Sequence, residues 1–394
     1  MPPGEAPTPP VPRYPRAVPY HAAPPRHRSS RRRRRLARLA RTGAAVVVLV
    51  GLVALAVSLA TAGGHPSASG RPHTPHAEGT STTAHRRPSD PARSGRARRP
   101  ATPPGPPFPV GTTSLGVPDA SAGSASGVLA TQVWYPAERA GQDAAPARAE
   151  GPYPLLVFSQ GYDVAVSSYA PLLAEWAAAG FVVAAPTYPD TAPGADLDEA
   201  DILYHPAELA ATISALSSAE SLGRLSPLLD GLVEPAEVGV VGHSDGGDVT
   251  LAVAEDSCCR DPAVKAAAIL SGAELRSFGG AYFTGPALPL LVAQGSDDHE
   301  LNPVACSVLT YDQAPEPKYY LDLVGAGHLT PYVDPGPERD VVGQVVADFF
   351  SAELSGDHGD LAAMAAAANR PGVASLTSAP SAPFPPGDCP GAPS

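Results

Sequence analysis

The sequence predicts a domain of the α/β class, a mostly parallel sheet with helices on both faces, preceded by one transmembrane segment. Three observations carry this. Between about residues 108 and 353, short apolar runs alternate with runs of helical spacing. Most of the short runs are apolar throughout, as expected of strands covered on both faces. A single uncharged apolar run, 43–62, stands apart from that block.

The elements follow in order. Residues 129–135 (LATQVWY) read as an early strand. Residues 154–159 (PLLVFS) read as a buried strand, with Pro at its start and Gly161 just beyond. Residues 168–179 have helical spacing and stop at Gly180. Residues 181–186 (FVVAAP) are a second buried strand, and 206–217 suit a helix with Pro206 in its first turn. The strand 238–242 leads into a helix over 245–254. Strands at 264–270, 288–294 and 318–324 follow, and a last helix covers about 339–353. Such sheets place their sites at the carboxyl ends of strands. The loops after 159, 242, 294 and 324 are therefore where chemistry is expected.

Outside the block the composition changes. Residues 1–42 are Pro- and Arg-rich, with five arginines at 31–35, and are expected to form a disordered cytoplasmic tail. Residues 43–62, GAAVVVLVGLVALAVSLATA, match the thickness of a bilayer core, with the basic cluster on the cytoplasmic side. The preferred reading is a signal anchor. The alternative is a signal peptide cleaved after Ala62, at Ala60-Thr61-Ala62. Residues 63–107 are expected to be a disordered linker and 354–394 a low-complexity tail.

The formal net charge of −12 hides an asymmetry. Residues 1–100 hold 18 Lys and Arg against 3 Asp and Glu, a balance of +15, and residues 101–394 hold 9 against 36, a balance of −27. An acidic surface repels phosphates, which argues against a nucleic-acid partner for the folded part. The four cysteines, Cys258, Cys259, Cys306 and Cys389, lack metal-ligand spacing. An exported domain could pair them in three ways, and a bond between the adjacent Cys258 and Cys259 is disfavoured.

Residues 240–247 read VVGHSDGG. Gly242-His243-Ser244-Asp245-Gly246 fits G-x-S-x-G between a buried strand and a helix. That turn is so sharp that the positions two before and two after the serine must lack side chains. Ser244 is the expected nucleophile, on a helix N-terminus that favours developing negative charge. His243 is expected to point away from it and to pack. A serine hydroxyl needs a base. Of His299, His328 and His358 downstream, His328 in the small-residue loop GAGHL after a strand is the expected base, whereas His299 in DDHE is expected to be solvated. The acid belongs in AQGSDDHELNP at 293–303, which offers Asp297, Asp298 and Glu300. Asp298 is preferred, with Asp297 the runner-up, to fix the imidazole tautomer. The oxyanion hole is expected from the backbone N–H groups of Asp245 and Tyr162.

The segments VFSQGYD, SSYAPLLAEWAAAGFVVAAPTYPD, VGVVGHSDGG, AQGSDD and LVGAGH together resemble bacterial α/β-hydrolases of the dienelactone-hydrolase-like, chlorophyllase-like and platelet-activating-factor-acetylhydrolase-like kinds, over about residues 110–350. Gln160 stands where that group usually has histidine, and serine rather than cysteine at the elbow argues against a dienelactone hydrolase proper. The resemblance implies the α/β-hydrolase fold and hydrolysis of a carboxylic ester, small-molecule or lipid, without metal or organic cofactor. A non-catalytic surface binding protein and a serine peptidase of the same fold are the alternatives. Residues 187–204 carry Asp190, Asp196, Asp198, Glu199 and Asp201 and are expected to overhang the site, disfavouring anionic esters.

Overall fold

The computed structural model describes residues 106–119, 127–299, 302–356, 359–382 and 389. The basic tail, the apolar run 43–62 and the linker up to 105 lie outside them. Among the described residues no helix is long and apolar enough to cross a membrane.

The strands are β1 (Val110–Pro118), β2 (Val128–Pro136), β3 (Gly141–Gln142), β4 (Tyr153–Ser159), β5 (Val182–Pro186), β6 (Val233–His243), β7 (Val264–Leu270), β8 (Leu290–Gly295), β9 (Lys318–Leu323) and β10 (Ala374–Thr377). They form one sheet in the order β10-β9-β8-β7-β6-β4-β5-β2-β1-β3. The run from β5 through β4, β6, β7 and β8 to β9 is parallel throughout. Among the described strands, antiparallel pairs lie toward the edges, at β1–β2, β2–β5 and β9–β10.

The helices are α1 (Ala170–Ala179), α2 (His205–Ser217), α3 (Ala219–Leu225), α4 (Asp245–Glu255), α5 (Val304–Gln313), α6 (Thr330–Val333), α7 (Pro337–Ser355) and α8 (Asp360–Ala368). Successive strand residues point to opposite faces, and the core divides accordingly. Leu155 and Val157 of β4, Val240 of β6 and Ile269 of β7 pack with Leu209 and Ile213 of α2 and Val249 and Val253 of α4. Leu156 and Phe158, Val241 and Leu270 pack on the other side with Leu172 and Trp176 of α1 and Val345, Phe349 and Phe350 of α7. Helices therefore cover both faces, as the continuous apolar strands require.

Three expectations need correction. First, β1 and β3 extend the sheet beyond the expected first strand. The buried positions of β1 are Gly111, Thr113, Leu115 and Val117, so two of the four carry no apolar signal. Second, 354–394 is not simply a low-complexity tail. Its alanine run favours helix, α8 buries Met364 and Ala368, and β10 adds to the edge of β9 with Ala374 buried. Third, Cys258 is bonded to Cys259, and Cys306 to Cys389. The turn after α4 brings the adjacent pair together. It is pinned by Asp256, whose Oδ1 accepts from the Cys258 N–H at 2.9 Å and whose carbonyl accepts from the Cys259 and Arg260 N–H groups at 3.0 and 2.9 Å.

Candidate active site

β6 runs straight into α4 through Ser244. The serine has φ 58° and ψ −127°, a left-handed backbone that a side chain rarely adopts and that costs on the order of 1–3 kcal/mol. The two glycines of the motif are required by close approach. A Cβ on Gly242 would overlap the carbonyl of Gly246, and a Cβ on Gly246 would overlap the carbonyl of Ser159. The elbow is thus wedged against the end of β4. The Ser244 N–H donates to the Leu270 carbonyl at 3.0 Å, which ties it to β7 as well. The Ser244 carbonyl accepts from the N–H groups of Gly247 and Asp248 and opens the first turn of α4.

The loops after β8 and β9 bring Asp298 and His328 to the same place. Ser244 Oγ lies 2.8 Å from His328 Nε2, and His328 Nδ1 lies 2.7 Å from Asp298 Oδ2. Asp298 is 2% exposed and His328 12%. Carboxylate oxygen accepts only, so Nδ1–H donates to Asp298 and a neutral ring leaves Nε2 free to take the serine proton. Asp297 instead faces solvent and pairs with His299 at 3.0 Å. The five residues singled out from the sequence all lie on loops or helix starts at the carboxyl end of the parallel strands.

The loop after β4 flanks the serine on its other side. A Cβ on Gly161 would lie 3.1 Å from that of Ser244, so close approach, not a left-handed backbone, selects glycine there. The Gly161 N–H donates to Tyr169 Oη at 3.4 Å. The Tyr162 and Asp245 N–H groups donate to no other group among the described residues; Tyr162 follows Gly161, and Asp245 follows Ser244, in sequence. Gln160, at the position usually held by histidine, is buried.

The loop 187–204 does border the site. Its Thr191 carbonyl accepts from the Asp163 N–H at 2.9 Å, and its Tyr188 hydroxyl pairs with Ser159 Oγ at 2.9 Å. The hydroxyl of half-buried Tyr162 is held above its ordinary range by desolvation first, then by Glu199, Asp163, Asp245 and Asp198. Burial likewise raises the Asp245 carboxyl, with Glu199 adding to it and His205 and His328 opposing. Of the five expected carboxylates, Asp201 is not part of an exposed rim. It is buried and pairs with His205 Nε2 at 3.2 Å. Leu203 and Tyr204 beside it, and Leu329 next to His328, are exposed apolar surfaces.

Residues that sequence reasoning did not single out complete the site. Gln294, the last polar residue of β8, donates through Nε2 to Asp298 Oδ2 at 3.0 Å and to the Asn302 carbonyl at 3.0 Å. His243 packs away from Ser244, as expected, but does more than fill space. Its Nδ1 lies 2.8 Å from Tyr169 Oη and its Nε2 lies 2.8 Å from the His328 carbonyl. Gln294 ends an otherwise apolar strand and Tyr169 follows two serines just before α1, so neither local pattern marks such a role in the sequence.

Residues 144–271, from before β4 to the end of β7, match the family model described as Chlorophyllase. That family is a member of the α/β-hydrolase superfamily, and its match spans both the loop after β4 and the elbow at Ser244. The curated proteins contain no match to this chain.

Proposed function

We propose, from the chlorophyllase family match over residues 144–271, that this α/β-hydrolase-type chain is a serine hydrolase of carboxylic esters working through an acyl-Ser244 intermediate. The observation that carries the reading is the continuous line Ser244 Oγ, His328 Nε2, His328 Nδ1, Asp298 Oδ2, with both contacts under 3 Å. Ser244 Oγ attacks the ester carbonyl carbon while His328 takes its proton. The tetrahedral oxyanion is held by the Tyr162 and Asp245 N–H groups and the N-terminus of α4. His328 then gives the proton to the departing alkoxide, and alcohol leaves. Water attacks the acyl carbon, its proton passes to His328 and on to Ser244 Oγ, and the acid is released. Asp298 keeps the proton-bearing Nδ1 turned inward and balances the imidazolium charge.

Substrate class follows from the rim. Asp163, Asp198, Glu199 and Asp245 surround Tyr162, so esters with an anionic acyl or alcohol part are disfavoured by a repulsion that salt screens. Leu203, Tyr204 and Leu329 offer apolar contact to a neutral short or medium chain. The test is a panel of matched neutral, cationic and anionic p-nitrophenyl esters at low and high salt. Neutral esters are expected to outpace anionic ones at low salt, with the gap narrowing as salt rises. Equal rates on all three at low salt would remove the charge argument, and no turnover of any would remove the esterase reading.

Location is part of the same proposal. Residues 43–62 hold the chain in the membrane with the hydrolase domain outside, a reading that the disulfides Cys258–Cys259 and Cys306–Cys389 support because such bonds persist in oxidising compartments. Fractionated cells are expected to keep the full-length chain in the membrane, open to external protease. Recovery from the medium of a chain beginning at Gly63 would show cleavage after Ala62 instead.

A further inference from the structure

A line of three hydrogen bonds crosses behind the elbow. The Gly161 N–H donates to Tyr169 Oη at 3.4 Å, Tyr169 Oη lies 2.8 Å from His243 Nδ1, and His243 Nε2 lies 2.8 Å from the His328 carbonyl. The chemistry of the groups fixes every direction. A carbonyl oxygen only accepts, so Nε2 bears the hydrogen. Burial first, then the charge of the His328 side chain, outweighs the hydrogen bond to the His328 carbonyl and holds His243 down at about 3, so the ring is neutral and its Nδ1 is bare. Tyr169 therefore donates to Nδ1 and accepts from Gly161. Both ends of the line are main chain of a site loop: Gly161 precedes Tyr162, and His328 is the base itself.

The line is also packed so that it cannot tilt. Tyr169 and His243 are fully buried. The His243 ring lies 4.6 Å from Tyr332, 4.9 Å from His328 and 5.7 Å from Tyr169, centroid to centroid. Tyr332 is in turn fixed to the Ser271 hydroxyl at 2.9 Å and to the Ala293 carbonyl of β8 at 3.1 Å.

We propose that Tyr169 and His243 are positioning residues that lock the loop presenting the Tyr162 N–H to the loop presenting the His328 imidazole. The oxyanion donor and the base are then held by one frame on either side of Ser244. By engaging the Gly161 N–H, Tyr169 also leaves the next amide, that of Tyr162, as the donor turned toward the reacting carbonyl. The inference rests on the esterase reading for its catalytic consequence, but the link between the two loops stands on its own geometry.

The test uses the full chain with Tyr169→Phe, His243→Gln and His243→Leu. Glutamine can still donate to the His328 carbonyl and accept from Tyr169, whereas leucine can do neither. Hydrogen exchange is measured over residues 159–163 and 325–330, together with kcat and KM on p-nitrophenyl butyrate and the inhibition constant of an alkyl boronic acid, which forms a tetrahedral adduct on serine. In Tyr169→Phe and His243→Leu both segments are expected to exchange faster together, with the central strands unchanged. kcat is expected to fall about 10- to 100-fold, and boronate binding to weaken in step, with KM little altered. His243→Gln is expected to recover most of both. Faster exchange at one segment alone, or equal behaviour of His243→Gln and His243→Leu, would overturn the proposal. Coupled loosening in a chain that turns over no ester would uphold the link and remove the esterase reading.

Discussion

Gln294 Nε2 donates to the carboxylate oxygen of Asp298 that faces His328. One oxygen, Oδ2, thus takes both N–H groups, at 3.0 and 2.7 Å, and the same amide nitrogen reaches the Asn302 carbonyl across the acid loop. Gln294 sits at the end of β8 and links the carboxylate of Asp298 to the main chain of Asn302. Asn302 continues the chain of contacts inward through its side-chain amide, which donates to the Ser271 carbonyl.

This relationship makes a prediction for Gln294→Leu, which keeps the volume and removes the donor. Losing an N–H from a carboxylate leaves its charge less spread and better able to stabilise an imidazolium. The acid limb of the kcat/KM profile is expected to move to higher pH, and kcat to fall about 10-fold through looser orientation. A profile unmoved on its acid limb would mean that Gln294 only fills space.

The two adjacent acids are separable. Asp298→Asn is expected to cost on the order of 10³- to 10⁴-fold in kcat, because the amide can present an N–H to His328 and favour the wrong tautomer. Asp297→Asn is expected to be mild, since the Asp297 side chain is exposed and pairs with His299. Damage from Asp297→Asn with Asp298→Asn harmless would reverse the assignment of the acid.

Stability is expected to depend on pH through two buried groups of opposite sign. Glu274 is pushed up to about 7, by burial first, with Asp256 adding and Arg276 opposing. Its folded value exceeds the ordinary 4.5, so its contribution is full below pH 4.5 and lost as pH rises through about 7. Glu274→Gln keeps a partner for Gln313 and is expected to match the wild type at pH 5 and to exceed it at pH 8 by on the order of 1–3 kcal/mol. His243 has the opposite sign. Its contribution is full above about 6.5 and lost as pH falls toward about 3, so His243→Gln is expected to flatten the acid side. Denaturant titrations at pH 4, 5, 7 and 8 read both, and a pH-independent difference for either variant would contradict its part.

The bond between Cys306 and Cys389 spans 83 residues and ties the end of the chain to α5. Cys389→Ser is expected to lower stability by about 2–4 kcal/mol, the usual return for closing a long loop, while leaving turnover of the folded enzyme largely intact. Unchanged stability would mean that the tail adds nothing once β10 has paired with β9.

The parts of the candidate site that were legible depend on order and placement along the chain. VVGHSDGG, the acid loop and GAGHL each follow an apolar run, and a parallel sheet brings such loops to one edge whatever the details of packing. The parts that were not legible depend on partners distant in sequence. Tyr169 looks like one aromatic in a helix of small residues, and only the fold brings it to His243, 74 residues on. Gln294 looks like the frayed end of a strand until Asp298 folds back over it. β1 was hidden because Gly111 and Thr113 occupy buried positions without apolar side chains. The pairing of Cys258 with Cys259 ran against a general expectation about adjacent cysteines that the turn at Asp256 overrides.

If Ser244 is the nucleophile that His328 activates, the full chain should react there with a fluorophosphonate, read by peptide mass spectrometry. One adduct per chain is expected, located on Ser244, absent in Ser244→Ala and slowed by several orders of magnitude in His328→Ala. Each variant should unfold like the wild type. An adduct on another residue, or well-folded wild-type protein that forms none, would contradict this role of Ser244.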